Sequence, residues 1–376
     1  MSANRSHVDT GEPRRSPPRT GTPPSWNAAL KRLSAWDSFV PEWIEEGGCA
    51  WLTRGAEIFR AEGPQSAPRH VATVPVPAWQ RRLSRYPLAR RALRLNCYNV
   101  VPLPDGSLFV SFGRSVWLRT AEGEWKPIAG LARPFRILRG GCAVAADGSV
   151  YFGEYINRKQ RDTPIRVYRL PPASARAEVV RTFEHGEMKH IHAIRLDAFT
   201  EDLWLCCGDW PEECRLLRSS DGFRSYSVVG GGDESWRAVH VIFKESAIFY
   251  ATDSEFLANH IYRIDRRTGA RRTVVAIDGP SFYAAEVGAG AVFATTVELC
   301  PSQASAKSVL WYVDEQGAAT PIAHFNKDFW GARAFVKLLQ AGTVQFPSSA
   351  RGQAELPFTG SGLLNLEGRV YELSVR

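Results

Sequence analysis

The sequence lacks several features that would assign it to a common class at once. It has no apolar run long enough to cross a bilayer, and Arg14-Arg15 is followed by Ser-Pro-Pro-Arg-Thr-Gly rather than by the apolar stretch of an export signal. It has no CxxC pair, and its seven cysteines are an odd number. The first absence predicts a protein with no membrane span, expected in the cytoplasm. The second argues against a structural zinc site and a disulfide framework.

Apolar residues are also scarce in the first 25 positions, which consist mainly of Ser, Thr, Pro, Gly and charged residues. Such a segment cannot bury enough apolar surface to offset the entropy lost on ordering. We therefore expect residues 1–25 to form a disordered basic tail, and residues 26–376 to form a single domain.

The net charge of the chain is +8, and much of the excess lies in the tail and in the segment 80–94. We expect the segment 76–95 to form a helical insertion, whose basic side chains could simply be solvated. A basic surface also suits an anionic partner such as an acidic saccharide or another anionic small molecule. No RRM, KH or helix-turn-helix signature points to specific nucleic-acid binding.

From residue 95 onwards, short runs of β-branched and aromatic residues alternate with Asp-Gly, Gly-Gly and Pro-Pro turns. A four-strand pattern recurs about every 45 residues, a period typical of propeller blades. The repeats start near positions 98, 142, 192, 237, 282 and 335. This pattern predicts an all-β fold, a β-propeller of seven four-stranded blades. Six blades is the alternative count, and a β-sandwich or two stacked β domains is the rival architecture.

The N-terminal copy of the repeat, near 49–75, lacks a clear first strand. An isolated blade leaves apolar faces uncovered, so the ring of blades must close. We therefore expect the two ends of the chain to share one blade.

The repeat also predicts where polar side chains gather. In a blade with strands a to d from the axis outward, the d–a and b–c connections open on the same face of the ring. Charged residues end strand b in five successive repeats: Arg114, Glu154, Asp209, Asp253 and Glu298. Basic residues, histidines and a tryptophan begin strand a: Arg139, His190, His192, Trp236 and Arg237. We expect these residues at one mouth of the channel, although turn acids also cap backbone N–H groups.

The sequence His190-Ile191-His192 places two imidazoles on one face of a strand, since residues i and i+2 share a face. With Glu154 or Asp209 they could hold a divalent metal. They could equally act as acid and base, or form a buried structural pair. His240 stands at an odd step from Arg237, so we expect it to face away from the channel as a core histidine.

Arg114, Arg139 and Arg237 come from separate repeats and share the expected mouth. Guanidinium groups suit carboxylates or phosphates, so the three could bind an anionic substrate, or they could only neutralise the nearby acids. Trp236 and Tyr155 could stack on sugar rings, although aromatic residues also seal propeller blades.

The stretch Ser219-Ser220-Asp221-Gly222-Phe223-Arg224-Ser225-Tyr226 resembles the Asp-box turn, Ser-x-Asp-x-Gly-x-Thr-Trp, of sialidase-like BNR-repeat propellers. One residue between Asp and Gly is missing here, and Ser-Tyr replaces Thr-Trp. The resemblance implies a carbohydrate-active propeller. Sialidases use an arginine triad, for which Arg114, Arg139 and Arg237 are candidates, and a Tyr–Glu pair, for which Tyr155 and Glu154 are candidates. Propeller polysaccharide lyases, a second model, use His and Tyr beside an Arg; His190, His192, Tyr155 and Arg237 match these types.

These patterns favour an enzyme that acts on an acidic saccharide by hydrolysis or elimination, as a glycoside hydrolase or a polysaccharide lyase. A non-catalytic propeller that binds a saccharide or a protein is the alternative, and a metal-dependent enzyme on another small substrate is a third. The candidate catalytic residues are His190, His192, Glu154, Asp209 and Tyr155. The candidate substrate-binding residues are Arg114, Arg139, Arg237, Asp253, Glu298 and Trp236. A divalent metal at His190/His192 is the one cofactor hypothesis.

Overall fold

The short β-branched and aromatic runs of the sequence form seven four-stranded antiparallel sheets in the computed structural model. The structure describes residues 28–157, 163–328, 339, 341–348 and 353–375. The sheets are the blades of a β-propeller, which confirms the predicted fold class and the blade count of seven. The expected tail at 1–25 lies outside the described residues.

Blade 1 consists of β2 (Val40–Ile44), β3 (Ala50–Arg54), β4 (Glu57–Ala61) and β5 (Arg69–Thr73). Blade 2 consists of β6 (Cys97–Pro102), β7 (Leu108–Phe112), β8 (Ser115–Arg119) and β9 (Trp125–Pro127). Blade 3 consists of β10 (Cys142–Val144), β11 (Val150–Gly153), β12 (Ile165–Leu170) and β13 (Glu178–Phe183). Blade 4 consists of β14 (Ile191–Leu196), β15 (Leu203–Cys207), β16 (Arg215–Ser219) and β17 (Ser227–Gly231).

Blade 5 consists of β18 (Ala238–Phe243), β19 (Ala247–Thr252), β20 (Asn259–Asp265) and β21 (Arg271–Ile277). Blade 6 consists of β22 (Ser281–Val287), β23 (Gly290–Thr295), β24 (Lys307–Val313) and β25 (Ala319–Asn326). Blade 7 consists of β26 (Thr343–Gln345), β27 (Glu355–Ser361), β28 (Tyr371–Val375) and, from the other end of the chain, β1 (Ala28–Arg32). Within each blade the order given runs from the inner strand a to the outer strand d.

The ring closes through β1, which pairs antiparallel with β28 from Ala28 opposite Val375 to Arg32 opposite Tyr371. The two ends of the chain therefore share blade 7, as the sequence predicts. The expectation that the N-terminal copy lacks a first strand is wrong, because β2 supplies one. Pro41 lies inside β2, and a proline normally argues against an inner strand; here it occupies the start of the strand, beside a bulge.

The core is divided among the seven junctions between neighbouring blades. Blades 2 and 3, for example, meet through Phe109, Phe152 and Tyr168, whose side chains are wholly buried and whose rings lie 5.3–5.5 Å apart. Equivalent clusters fill the other six junctions. Fully burying one such ring contributes on the order of 1.5–3 kcal/mol, so each blade depends on both of its neighbours. This mutual packing holds the loops at each end of the ring in fixed positions.

Two short helices, α1 (Ala78–Leu83) and α2 (Pro87–Leu93), connect blades 1 and 2. Pro87 begins α2, where its missing N–H is tolerated, and Arg94 ends it in the left-handed region. Buried Arg91 fixes α2 to blade 7 through Asp328 at 2.6 Å and Glu367 at 3.0 Å. Among the described residues, neither helix is long and apolar enough to span a membrane.

Most of the inner strands carry a β-bulge near the start. The pairing shifts at Pro41/Trp43, Cys97/Asn99, Ile191/Ala193, Ala238/Val241 and Ser281/Tyr283. A bulge redirects side chains and interrupts simple alternation. His240 lies at one of these bulges. It is buried, but it lines the channel on the side of the a–b turns, so the expectation that it faces away from the channel is wrong.

Ring closure by β1 yields the first testable prediction. Deleting residues 1–32 removes the outer strand of blade 7 and exposes the edge of β28. Each lost backbone hydrogen bond contributes about 1 kcal/mol net, so we expect the thermal unfolding midpoint to fall by about 5 °C or more. Deletion of residues 1–25, which leaves β1 whole, is the matched control. Equal midpoints for the two deletions, measured by circular dichroism, would show that β1 does not close the ring.

Candidate functional site

The d–a and b–c connections bring a cluster of ionisable side chains to one mouth of the channel. His190 and His192 stand at the start of β14, and Asp209 follows β15 in the same blade. Arg237 precedes β18, the inner strand of blade 5. Tyr155 follows β11 of blade 3 and packs against His190. Three consecutive blades therefore contribute to one cluster, which we call the mouth site.

The two imidazoles of the mouth site are buried and held in place by backbone carbonyls. His190 Nδ1 lies 3.1 Å from the carbonyl oxygen of Ile156, and His192 Nδ1 lies 2.9 Å from that of Ala238. A carbonyl oxygen only accepts hydrogen bonds, so each Nδ1 carries the proton. The two Nε2 atoms lie 3.0 Å apart. In the neutral rings, both Nε2 lone pairs therefore face each other.

Asp209 brings a negative charge to the same point. Its Oδ1 lies 3.3 Å from His190 Nε2, 3.6 Å from His192 Nε2 and 3.0 Å from Arg237 Nη2. Lys189 contacts its other oxygen. Burial opposes ionisation of Asp209, but the positively charged groups around the carboxylate, Arg237 among them, hold its pKa well below its usual range. Burial lowers the pKa of His190, which keeps that imidazole neutral near pH 7.

The donor set His190, His192 and Asp209 fits a divalent metal. Metal–nitrogen bonds of about 2.1 Å place neighbouring ligand atoms about 3.0–3.4 Å apart, close to the separations in this site. The Nδ1–H groups bonded to carbonyls provide the outer support that fixes the tautomer of a metal-binding histidine. A cation between the three atoms would relieve the repulsion of their lone pairs. Three protein ligands also leave coordination positions open for a substrate.

A second acidic group lies beside Arg237. Asp253 Oδ2 is 3.5 Å from Arg237 Nε, and Asp253 Oδ1 is buried with no hydrogen-bond partner among the described residues. Burial raises the pKa of Asp253 above its usual range despite the charge of Arg237. Burial and the neighbouring charge of Glu255 also raise the pKa of Glu298. Asp253 therefore combines a free oxygen with a proton affinity suited to proton transfer near neutral pH.

Tyr155 completes the mouth site. Its ring lies 4.2 Å from that of His190 and 6.2 Å from that of His192, measured between centroids. Burial and the charges of Asp209 and Asp253 raise the pKa of Tyr155 well above its usual range. Tyr155 therefore remains a neutral phenol and can donate a proton.

Glu154 and Trp236 do not join this cluster. Glu154 is wholly buried, accepts a hydrogen bond from Tyr168 at 2.9 Å and lies 3.4 Å from Arg133. It alternates with Tyr155, so only one of the two neighbours can face the mouth. Trp236 stacks on Tyr250 with Arg271 over its ring, and thus seals the junction between blades 4 and 5.

The three candidate arginines have different partners. Arg237 lies in the mouth site, whereas Arg139 forms a buried ion pair with Glu42 on the channel wall. Arg114 is exposed in the turn between β7 and β8 and lines a separate groove. Arg114 does follow strand b of blade 2, as the sequence predicts, but its side chain has no contact with the mouth site among the described residues. The structure does not assemble the three into one anion-binding triad.

Sequence reasoning missed Lys189 and Glu42. Lys189 adjoins His190 in the same d–a connection, and that adjacency was the available signal. Glu42 lies in β2, the strand that the sequence did not reveal, so its pairing with Arg139 could not be anticipated.

Comparisons with known proteins confirm the fold. No family model and no curated protein matches the sequence. An oligogalacturonate lyase in complex with manganese is similar in structure, with a TM-score of 0.61, 12% identity and 95% of each chain covered. A catalytically inactive variant of virginiamycin B lyase from Staphylococcus aureus with quinupristin has a TM-score of 0.57 and 13% identity, over 93% of this chain and 99% of that one.

A chain of the Mitotic Checkpoint Complex is similar as well, with a TM-score of 0.55 and 9% identity over 98% of each chain. At such low identities these likenesses show the propeller fold alone.

The raised pKa of Asp253 predicts how stability depends on pH. A carboxyl whose pKa is higher in the folded than in the unfolded state favours folding at low pH, and that contribution is lost as the pH rises through the folded value. Asp253→Asn should therefore gain stability relative to the parent chain as the pH rises from about 5 to about 8, by on the order of 1 kcal/mol. Urea unfolding in chelator-treated buffer measures the difference. A variant that loses stability relative to the parent over this range would contradict the assignment.

Proposed function

We propose that the mouth site is the active site of an enzyme that holds a divalent metal and cleaves an acidic saccharide by elimination. The observation that carries the proposal is the convergence of two imidazole nitrogens and one carboxylate oxygen within 3.6 Å. Arg237 lies at 3.0 Å from the same carboxylate oxygen. A purely structural cluster would be expected to place a proton donor between such acceptors.

His190, His192 and Asp209 would hold the metal. When bound, it would polarise a substrate carboxylate as a Lewis acid. Arg237 and Lys189 add positive charge at the same place, and both suit the carboxylate of a uronate. Neutralising that carboxylate acidifies the adjacent C–H group, which is the requirement for elimination.

The two proton transfers can be assigned to Asp253 and Tyr155. Asp253, with its free Oδ1 and raised pKa, would take the proton from the carbon next to the carboxylate. The electron pair of that C–H bond forms the carbon–carbon double bond while the bond to the glycosidic oxygen breaks. Tyr155 would give its phenolic proton to the departing oxygen. This assignment extends the sequence-based role of Asp253 from substrate binding to general base.

Elimination fits the cluster better than hydrolysis. Hydrolysis by a carboxylate pair needs one acid and one carboxylate on opposite sides of the bond, and Asp209 is committed as an anion to the basic groups around it. Elimination needs a base, an acid and neutralisation of the substrate carboxylate, all of which the cluster offers. Two of the similar solved structures are of lyases, and one of these holds manganese.

The segment that resembles an Asp-box forms a tight turn between two strands. Ser219 and Asp221 lie at the end of β16, in the turn between strands c and d of blade 4. Asp221 accepts hydrogen bonds from the N–H and hydroxyl of Ser225, and Ser219 accepts one from the N–H of Phe223 at 2.8 Å. The turn is therefore held by its own side chains, at the end of the blade away from the b–c loops. It supports a saccharide-active propeller only by resemblance.

Metal binding gives the first test of the proposal. We expect the purified chain, after chelator treatment, to bind one Mn²⁺ per molecule in calorimetry, and His192→Ala to lose measurable binding because one of three ligands is gone. The matched control is His70→Ala, which removes an imidazole exposed on β5. Retention of Mn²⁺ by His192→Ala, with the same stoichiometry and affinity, would refute the metal assignment.

Turnover gives the second test. With uronate oligosaccharides, we expect an ultraviolet-absorbing unsaturated product, and Tyr155→Phe should lower kcat by about 10²–10⁴ because a general acid is lost. Manganese affinity should be unchanged in Tyr155→Phe, since the phenol is not one of the ligands. New reducing ends without the absorbance would indicate hydrolysis. Binding of the saccharides with no product would favour the non-catalytic alternative.

A further inference from the structure

A groove beside blade 2, between the helical connection from blade 1 and the connection to blade 3, combines an apolar floor with positive charge. It encloses about 870 Å³, within the usual range of small-molecule sites. Its floor includes Leu95, Val116 and Ile128, all buried, and Trp117 lies at its side. It is bounded on one side by the end of α2, where Leu93 is half exposed. The groove is therefore a formed pocket with apolar surface still open to a ligand.

The charged residues of the groove are all arginines. Arg94, Arg114, Arg133 and Arg136 line it, and no aspartate or glutamate does. Within the described residues only Arg133 has an ion pair, to Glu154 at 3.4 Å. Arg136 Nε is buried and has no hydrogen-bond partner in the same part of the chain. A buried guanidinium nitrogen without an acceptor is unfavourable unless a ligand supplies one.

The groove and the mouth site share a wall but no side chain. Arg136 and Tyr155 exchange backbone hydrogen bonds, with N–O distances of 3.3 and 3.0 Å. His190, His192 and Asp209 are not among the residues that line the groove. Ligand binding in the groove can therefore be measured independently of the mouth site.

We propose that this groove is a second binding site, for a small anion with a flat apolar body such as an aromatic carboxylate. The arginines provide the complement to the negative charge, and the fork of a guanidinium matches the two oxygens of a carboxylate. The apolar floor accepts the rest of the molecule, with Trp117 placed to contact a planar ring. Arg114, which the sequence assigns to substrate binding at the mouth, takes its anion-binding role here instead.

Calorimetry with naphthoate and its neutral isostere naphthamide tests the proposal. The two probes differ mainly in charge, so we expect naphthoate to bind at least about tenfold more tightly to the parent chain. The double substitution Arg114→Gln and Arg136→Gln should reduce naphthoate affinity to that of naphthamide. Arg119→Gln, which removes an arginine of blade 2 that does not line the groove, is the matched control and should bind as the parent does.

A variant of the mouth site separates this proposal from the proposed function. Asp209→Asn should retain naphthoate binding because Asp209 does not line the groove. Equal affinity for the two probes, no binding of naphthoate, or unchanged binding after the double substitution would overturn the groove assignment. Loss of naphthoate binding in Asp209→Asn would overturn it as well, since the probe would then have been at the mouth site.

Discussion

The structure depends on the need of each blade to cover two apolar faces. A single four-stranded sheet of this chain has buried residues on both sides, and the clusters at the seven junctions are built from neighbouring blades in pairs. Only a closed ring satisfies all of them, and β1 completes it by pairing with β28. Closure fixes the inner strands around the axis, so the loops at one mouth meet at defined positions. The chemistry of the mouth site follows from this constraint.

The mouth site contains two carboxyl groups whose pKa values are shifted in opposite directions. Asp209 is kept ionised by basic neighbours, while Asp253 is pushed toward its protonated form by burial. Neighbouring carboxyl groups with pKa values shifted in opposite directions are typical of sites that transfer protons. The carbonyls of Ile156 and Ala238 hold the imidazole tautomers, so the strands of three blades determine which nitrogen faces the centre. The backbone of these strands thus sets the orientation of both rings.

The blade repeat was readable from the sequence because strand and turn signals recur locally. The shared blade followed from the requirement for closure. The position of a residue in the repeat determines on which face of the ring it lies. On this basis the sequence correctly predicts one cluster of His190, His192, Asp209 and Arg237. The same reasoning was wrong for Glu154, because the alternation of side chains along the strand decides which of two neighbours faces the mouth. It was also wrong for His240, because a β-bulge interrupts that alternation. The pairing of Arg139 with Glu42 joins residues 97 positions apart, and no local pattern predicts such a contact.

The most direct test of the account is the protonation of the two imidazoles, read by nitrogen NMR in the metal-free protein and during a titration with Zn²⁺. We expect Nδ1 of both His190 and His192 to carry a proton, donated to the carbonyls of Ile156 and Ala238, and both Nε2 resonances to shift together as one equivalent of Zn²⁺ is added. A proton on Nε2 of either ring, with no response to Zn²⁺, would contradict it.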